Sequence, residues 1–232
     1  MLADPVTQSL HKYQSTFHPV VPFLPGKDRF LEMDFSSENK DLSAEVYSDT
    51  EKLSKYINAQ LTAAGCRYGI GGYNEHRTIY AASNHFDTGG EPRRLHLGID
   101  IWAAAGTPVY AFMGGRIHSF AFNNTPGDYG ATLILLHQLD GFAFHTLYGH
   151  ISLKDIETIT ASQYVIRGQQ IAQFGTPAEN GHWPPHLHFQ VIIDMQLKQG
   201  DYPGVCRFSE REKYLLNCPD PDLVLQMNRY KI

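Results

Sequence analysis

The stretch HLGIDIWAAAGTPVYAFMGGRI, residues 96–117, decides the fold. Its short apolar runs are broken by Gly and Pro, and β-branched Ile99 and Ile101 beside Gly98 favour a strand over a helix. On a strand, alternation puts His96, Gly98 and Asp100 on one face and Leu97, Ile99 and Ile101 on the opposite, buried face. The same texture runs outward from about residue 67 to 195, through GRIHSFAF (115–122), ATLILLH (131–137), FAFHTLYGH (142–150), QIAQFG (170–175) and HLHFQVII (186–193). Runs of that length, bounded by turn residues, predict a mainly β domain with an antiparallel sheet. Leu139-Asp140-Gly141 sits between two such runs and predicts a hairpin turn. A short helical turn fits within 152–163.

The flanks read differently. Leu53, Tyr56, Ile57, Leu61 and Ala64 recur at helical spacing in 48–65, with Asp49 as N-cap and Gly65 where a C-terminal cap belongs. Before it, residues 1 to about 35 are punctuated by Pro5, Pro19, Pro22 and Pro25, which predicts an arm wrapped on the body. After the β region, 209–221 predicts a helix stopped by proline, with Ser209 as N-cap. The expected organisation is an N-terminal arm and helix (1–66), a β domain (67–199) and a short helical C-terminal extension (200–232).

Composition narrows the function. The 232 residues carry 42% hydrophobic and 19% charged side chains, enough for a core without disulfides. A net charge of −5 with no basic block argues against nucleic acid. No run of apolar residues is long enough to span a membrane, and no leader is visible at the start, so a cytoplasmic location is the default. Three cysteines, Cys66, Cys206 and Cys218, make an odd number with no CxxC, so unbonded thiols are expected rather than a disulfide framework or a cysteine-based zinc site. Twelve histidines turn attention to metal chemistry.

Three places carry that chemistry. His96 and Asp100 on one strand face can converge on one cation. His186 and His188 also share a strand face, with Leu187 and Phe189 opposite. Such a pair can bind one metal through both rings, or supply one ligand and one neighbouring base. His150 ends a strand-like run just after Gly149 and is placed to reach a cleft, whereas His145, five residues earlier, points to the other face of a regular strand. His76, His85, His118, His137 and His145, taken singly, read as structural. A catalytic zinc needs three protein ligands and an open position. With no HExxH in the chain, unligated histidines near the metal would have to supply the base, which suits imidazole, titrating near ~6.5.

His96-x-x-x-Asp100, Tyr148-Gly149-His150 and His186-x-His188 stand in the order found in the lysostaphin/LytM-type zinc metalloendopeptidases, and the run 96–117 resembles that family's motif, following strand and glycine hairpin. The resemblance covers about residues 67–193. It implies a duplicated-hybrid-motif β-sheet groove that hydrolyses peptide bonds in peptidoglycan cross-links or Gly-rich peptides. By matching positions it implies one Zn2+ per chain held by His96, Asp100 and His188, with His150 and His186 as the catalytic pair and His137 structural. YGIGGYNEHR (68–77) resembles the family's glycine-rich segment; Gly69, Gly71 and Gly72 suggest a loop, from which Asn74 or Arg77 could approach the site. The competing reading is a non-enzymatic, zinc-containing binding or regulatory module on the same fold. A biotinyl or lipoyl carrier is disfavoured because Met113-Gly114-Gly115 offers no lysine at the hairpin tip.

Overall fold

The structure, a computed structural model, describes residues 4–87 and 89–232. The N-terminal region holds helix α1 (Pro5–Tyr13), strand β1 (Phe30–Met33), helices α2 (Ala44–Tyr47) and α3 (Thr50–Ala64) and strand β2 (Tyr68–Gly71). The central region holds β3 (Arg93–His96), β4 (Ile99–Trp102), β5 (Pro108–Tyr110), β6 (Gly115–Asn123), β7 (Gly130–Leu139) and β8 (Phe142–Ile151). Helix α4 (Leu153–Glu157), β9 (Tyr164–Val165), β10 (Gln170–Gln173) and β11 (His186–Ile192) follow. The chain ends with β12 (Val205–Arg207), α5 (Arg211–Asn217) and α6 (Asp222–Leu225).

One eight-stranded sheet, ordered β1-β2-β4-β11-β8-β7-β6-β9, organises the molecule, with two small ribbons, β10-β5 and β12-β3, beside it. Its ladders are antiparallel except β1–β2, which is parallel. One face carries the main core: Ile99 and Ile101, Leu187, Phe189 and Val191, Leu133 and Leu135, Phe144 and Tyr148. Polar and glycine positions alternate with these residues. In register across the other face stand Gly71, Asp100, His188 and Gly149, and beside them Gly69, Trp102 and His186. Two smaller apolar clusters flank that second face. One is built on α3, with Met33, Phe35 and Trp102; the other contains Leu95, Leu97, Tyr129 and Ile192.

Helix α3 forms where its spacing predicts. Leu53, Ile57 and Leu61 are buried, Asp49 accepts from the Glu51 and Lys52 amides, and Gly65 closes the helix in the left-handed region at φ 62°. The Asp140-Gly141 turn between β7 and β8 also stands as expected, both residues at positive φ (49° and 86°), which is the type I′ pattern. Among the described residues, no helix is long and apolar enough to cross a membrane. Cys66, Cys206 and Cys218 are free thiols.

Some expectations gain detail and others are corrected. The proline-punctuated arm packs on the body and contains a helix and an edge strand of the main sheet. Asp4 caps α1 through the Val6 and Thr7 amides, Pro5 occupies its first turn, and Val6 and Leu10 are buried in the main core. The glycine-rich segment at 68–71 is a strand rather than a loop, because the second sheet face needs glycine there to admit side chains from elsewhere. Ser209 is not an N-cap: it lies inside a 3-10 turn (Phe208–Glu210), and α5 starts after Glu210 without a side-chain cap. The His96–Asp100 motif is not one strand. Its ladder breaks at Leu97-Gly98, so Leu97 leaves the face of Ile99 and Ile101 and joins the second-face cluster.

Candidate metal centre

His96 closes β3, Asp100 lies in β4 and His188 in the neighbouring β11, where it is paired directly with Asp100. Their ligand-type atoms lie within 4.8 Å of one another, and all three residues are buried. The break at Leu97-Gly98 brings the end of β3 over the sheet face. Gly98 makes this approach possible, since a Cβ there would stand 2.5 Å from His188 Cε1.

The outer hydrogen bonds fix both ring tautomers. His96 Nδ1 lies 2.9 Å from the Gly72 carbonyl and His188 Nε2 2.9 Å from Gln190 Oε1. Both partners can only accept, so those nitrogens carry the protons. The inner nitrogens, His96 Nε2 and His188 Nδ1, then present lone pairs to each other at 3.0 Å, and Asp100 Oδ1 stands 3.3 Å and 3.1 Å from them. Three acceptors facing one another repel unless a cation lies among them. The edges of this triangle match the separation of about 3.3 Å expected for tetrahedral ligands at ~2.0–2.1 Å from a zinc ion. The donor set therefore fits a divalent metal, and the carbonyl and amide behind each imidazole are the outer support such ligands need.

The electrostatics agree. Burial, reinforced by the nearby Arg77 cation, pulls His96 down to about 4, so the ring is neutral at ordinary pH. Burial alone would raise Asp100, but the permanently charged Arg77 guanidinium against Oδ2 helps to hold the carboxyl well below its usual range.

His150 and His186 stand beside this triangle. A residue in the position of His150 would ordinarily face the main core. Between Tyr148 and Ile151, however, β8 carries one residue more than β7, and His150 takes φ 62°. That bulge turns its ring onto the second face. His145 was expected to point away from His150's face on a regular strand. The register instead places it opposite Ile192, on the same face as His188 and Gln190, and the irregularity belongs to His150. His145 packs on His118 at 4.9 Å, away from the triangle. The His150 and His186 rings lie 4.0 Å apart, and His186 is stacked on Trp102 at 4.0 Å. His150 Nδ1 donates to the Asn180 carbonyl at 2.8 Å and His186 Nδ1 to the Pro184 carbonyl at 2.7 Å. In each ring Nε2 is thereby left as the basic nitrogen. Burial, with His186 alongside, holds His150 well below its ordinary value, and burial takes His186 to about 4.

A cleft opens over Asp100, His150, His186 and His188, walled by the aromatic rings of Tyr80, Tyr129 and Trp183 among others. Of the two residues thought able to approach it, Arg77 does so and contacts Asp100, whereas Asn74 accepts from Arg211 instead. His137 lies in the main core between the Gly114 carbonyl and Thr146. Trp102 and Gln190 were not singled out from the sequence. Both could have been found by alternation, since Trp102 follows Asp100 by two and Gln190 follows His188 by two.

A carboxylate and two histidines gathered on a sheet face, with two more neutral histidines over the same cleft, define a metallopeptidase-like site. Residues 94–199 match the model of peptidase family M23. Over 105 residues the chain is 34% identical to the DD-carboxypeptidase/endopeptidase Mpg of Neisseria meningitidis serogroup B and of Neisseria gonorrhoeae. The match takes in 44% of this chain and 21% of theirs, so the chain spans about a fifth of the length of these relatives. Among solved structures, a zinc containing peptidase from Vibrio cholerae is 29% identical, with a TM-score of 0.34 over 42% of this chain and 27% of that one. The antimicrobial peptidase lysostaphin from Staphylococcus simulans is 26% identical, with a TM-score of 0.39 over 59% of this chain and 45% of that one.

Proposed function

We propose that the chain is a zinc-dependent endopeptidase that hydrolyses peptide bonds, in peptidoglycan cross-links or Gly-rich peptides, with one zinc held by His96, Asp100 and His188 and with His150 and His186 as its catalytic pair. The observation that carries this reading is the triangle of inward-facing acceptors with edges of 3.0, 3.1 and 3.3 Å. The family model matched by residues 94–199 and the carboxypeptidase/endopeptidase names of the Neisseria relatives support the choice of peptide chemistry.

Zinc, when bound, supplies a Lewis acid for the scissile carbonyl and makes water acidic enough to attack at neutral pH. The chain's own residues do the rest. His96 and His188 enter as neutral rings and Asp100 as a carboxylate, leaving a net charge of about +1 that favours an anionic transition state. His150 and His186 both offer a basic Nε2, because the Asn180 and Pro184 carbonyls hold the protons on Nδ1. Either ring can take the proton of the attacking water and return it to the departing nitrogen. Either can donate a hydrogen bond to the oxyanion only after it has gained that proton. Trp102 stacked beneath His186 keeps that ring from turning.

The test is zinc analysis of the purified chain together with cleavage of peptidoglycan fragments and an oligoglycine peptide. His150→Ala and His186→Ala should each retain stoichiometric zinc and lose about 10²–10⁴-fold in rate. Loss of zinc in either variant would make that histidine a ligand. A wild-type chain that binds zinc and cleaves neither substrate would favour the binding module.

A further inference from the structure

Arg77 reaches the metal centre from outside the family-matched stretch, which begins at residue 94. Its side chain is fully buried (0% exposed), and carboxylates meet it on two sides. Nη1 donates to Asp100 Oδ2 and, at 3.2 Å, contacts the Tyr80 hydroxyl; Nε donates to Glu75 Oε2 at 2.6 Å. Glu75 is itself held, since its Oε1 accepts from the Phe35 amide at 3.0 Å. The space is made by Gly71, which is paired with Asp100 and whose added Cβ would stand 2.6 Å from Arg77 Nη2.

The two oxygens of Asp100 are thus divided. Oδ1 faces the lone pairs of His96 and His188, while Oδ2 is engaged by the guanidinium. We propose that Arg77, anchored by Glu75, is a positioning residue that occupies the outer oxygen of Asp100 and so limits this carboxylate to one metal bond. The proposal rests on the reading of His96, Asp100 and His188 as the ligand set. A carboxylate left free can turn both oxygens to a cation and take up a second position. In a three-ligand site that position is the one water and substrate require. A charge-assisted bond at Oδ2 opposes the turn in two ways: it engages that oxygen's lone pair, and it places a positive charge where the metal would have to approach. The Glu75 anchor keeps the guanidinium from following Asp100 if the carboxylate rotates.

Cobalt(II) in place of zinc tests this on the whole chain without a substrate. Its visible absorption is intense at four-coordinate sites and falls as coordination rises. The wild type should give the intense band. Arg77→Met should lose band intensity severalfold and weaken zinc binding by about 10–100-fold, the usual cost of removing an outer partner. Arg77→Lys, which keeps the charge without the fork, should recover part of both. Glu75→Gln removes the anchor at a less buried position and should shift band and affinity in the same direction, less far. This variant decides the matter should Arg77→Met fail to fold. Wild-type band and affinity in Glu75→Gln and Arg77→Lys, with only thermal stability lowered, would reduce Arg77 to a structural ion pair and overturn the proposal. Undiminished cobalt binding by Asp100→Asn would instead remove the ligand reading, and the proposal with it.

Discussion

Gly98→Ala should damage the metal centre more than a single methyl group suggests. The added Cβ would stand 2.5 Å and 2.6 Å from Cε1 and Nε2 of His188 and 2.8 Å from the Phe189 carbonyl oxygen. Contacts of real Cβ atoms essentially never fall below 3.0 Å, so something must yield by about half an ångström. The carbonyl cannot, because β11 is laddered to β4 on one side and β8 on the other. The imidazole must therefore move, against its bond to Gln190 Oε1 at 2.9 Å. Overpacking of this kind costs about 1–3 kcal/mol of stability. Metal–ligand bonds tolerate only about ±0.2 Å, so the displacement should weaken zinc binding at least about tenfold. Gly72→Ala is the control, since its Cβ would meet nothing closer than 3.5 Å. Zinc retention against a graded chelator, together with a urea midpoint, reads both effects. Retention and midpoint equal to wild type in Gly98→Ala would refute the close packing of Gly98 on His188 from which the motif's glycine is explained.

Three further outcomes follow from particular contacts. Asp100→Ala should abolish stoichiometric zinc binding and also cost about 3–5 kcal/mol in urea denaturation, because Arg77 is left buried with Glu75 as its remaining carboxylate partner. His137 gives a pH dependence remote from the metal. Burial lowers it from the ordinary 6.5 to about 4, so between those values the unfolded chain binds a proton that the native state refuses. Stability from this source is complete above about pH 6.5 and falls by about 3 kcal/mol as the pH drops to 4; His137→Gln should flatten that limb of a urea-midpoint-against-pH curve. Gly65→Ala, in open space but at φ 62°, should cost about 1 kcal/mol through the backbone alone, seen as a lowered melting temperature with zinc content unchanged.

The parts of the molecule that a sequence makes legible are those whose cause is local. Helix α3 has both caps and its buried stripe within 49–65, and the β7–β8 hairpin has its turn residues between its strands. The mainly β character and the grouping of His96, Asp100 and His188 were legible because strand alternation and motif order carry them, although the strand bearing His96 and Asp100 proves to be broken at Leu97-Gly98. The arm was opaque for a different reason. Strand β1 exists because Phe30–Met33 has Tyr68–Gly71 to pair with, and nothing within 30–33 announces a partner some forty residues on.

His150 shows where alternation fails as an instrument. Period two assigns it to the main core, and only the extra residue in β8, visible in the register with β7, returns it to the histidine face. Its φ of 62° is costly for a side-chain-bearing residue and persists because its surroundings hold it: the His150 amide donates to the Tyr129 carbonyl, and the Gly175 amide to its own carbonyl. A bulge that costs backbone strain and moves a buried imidazole to within 4.0 Å of another is not explained by packing of the main core, which would be served by leaving the strand regular. It is explained if the two basic Nε2 atoms must face one cleft. Removing the His150 side chain should therefore leave the bulge with its strain and without its purpose, and His150→Gly, which relieves φ at that position, should be more stable than His150→Ala while being equally unable to accelerate hydrolysis. Equal stability of the two would mean that the left-handed turn is paid for by packing after all.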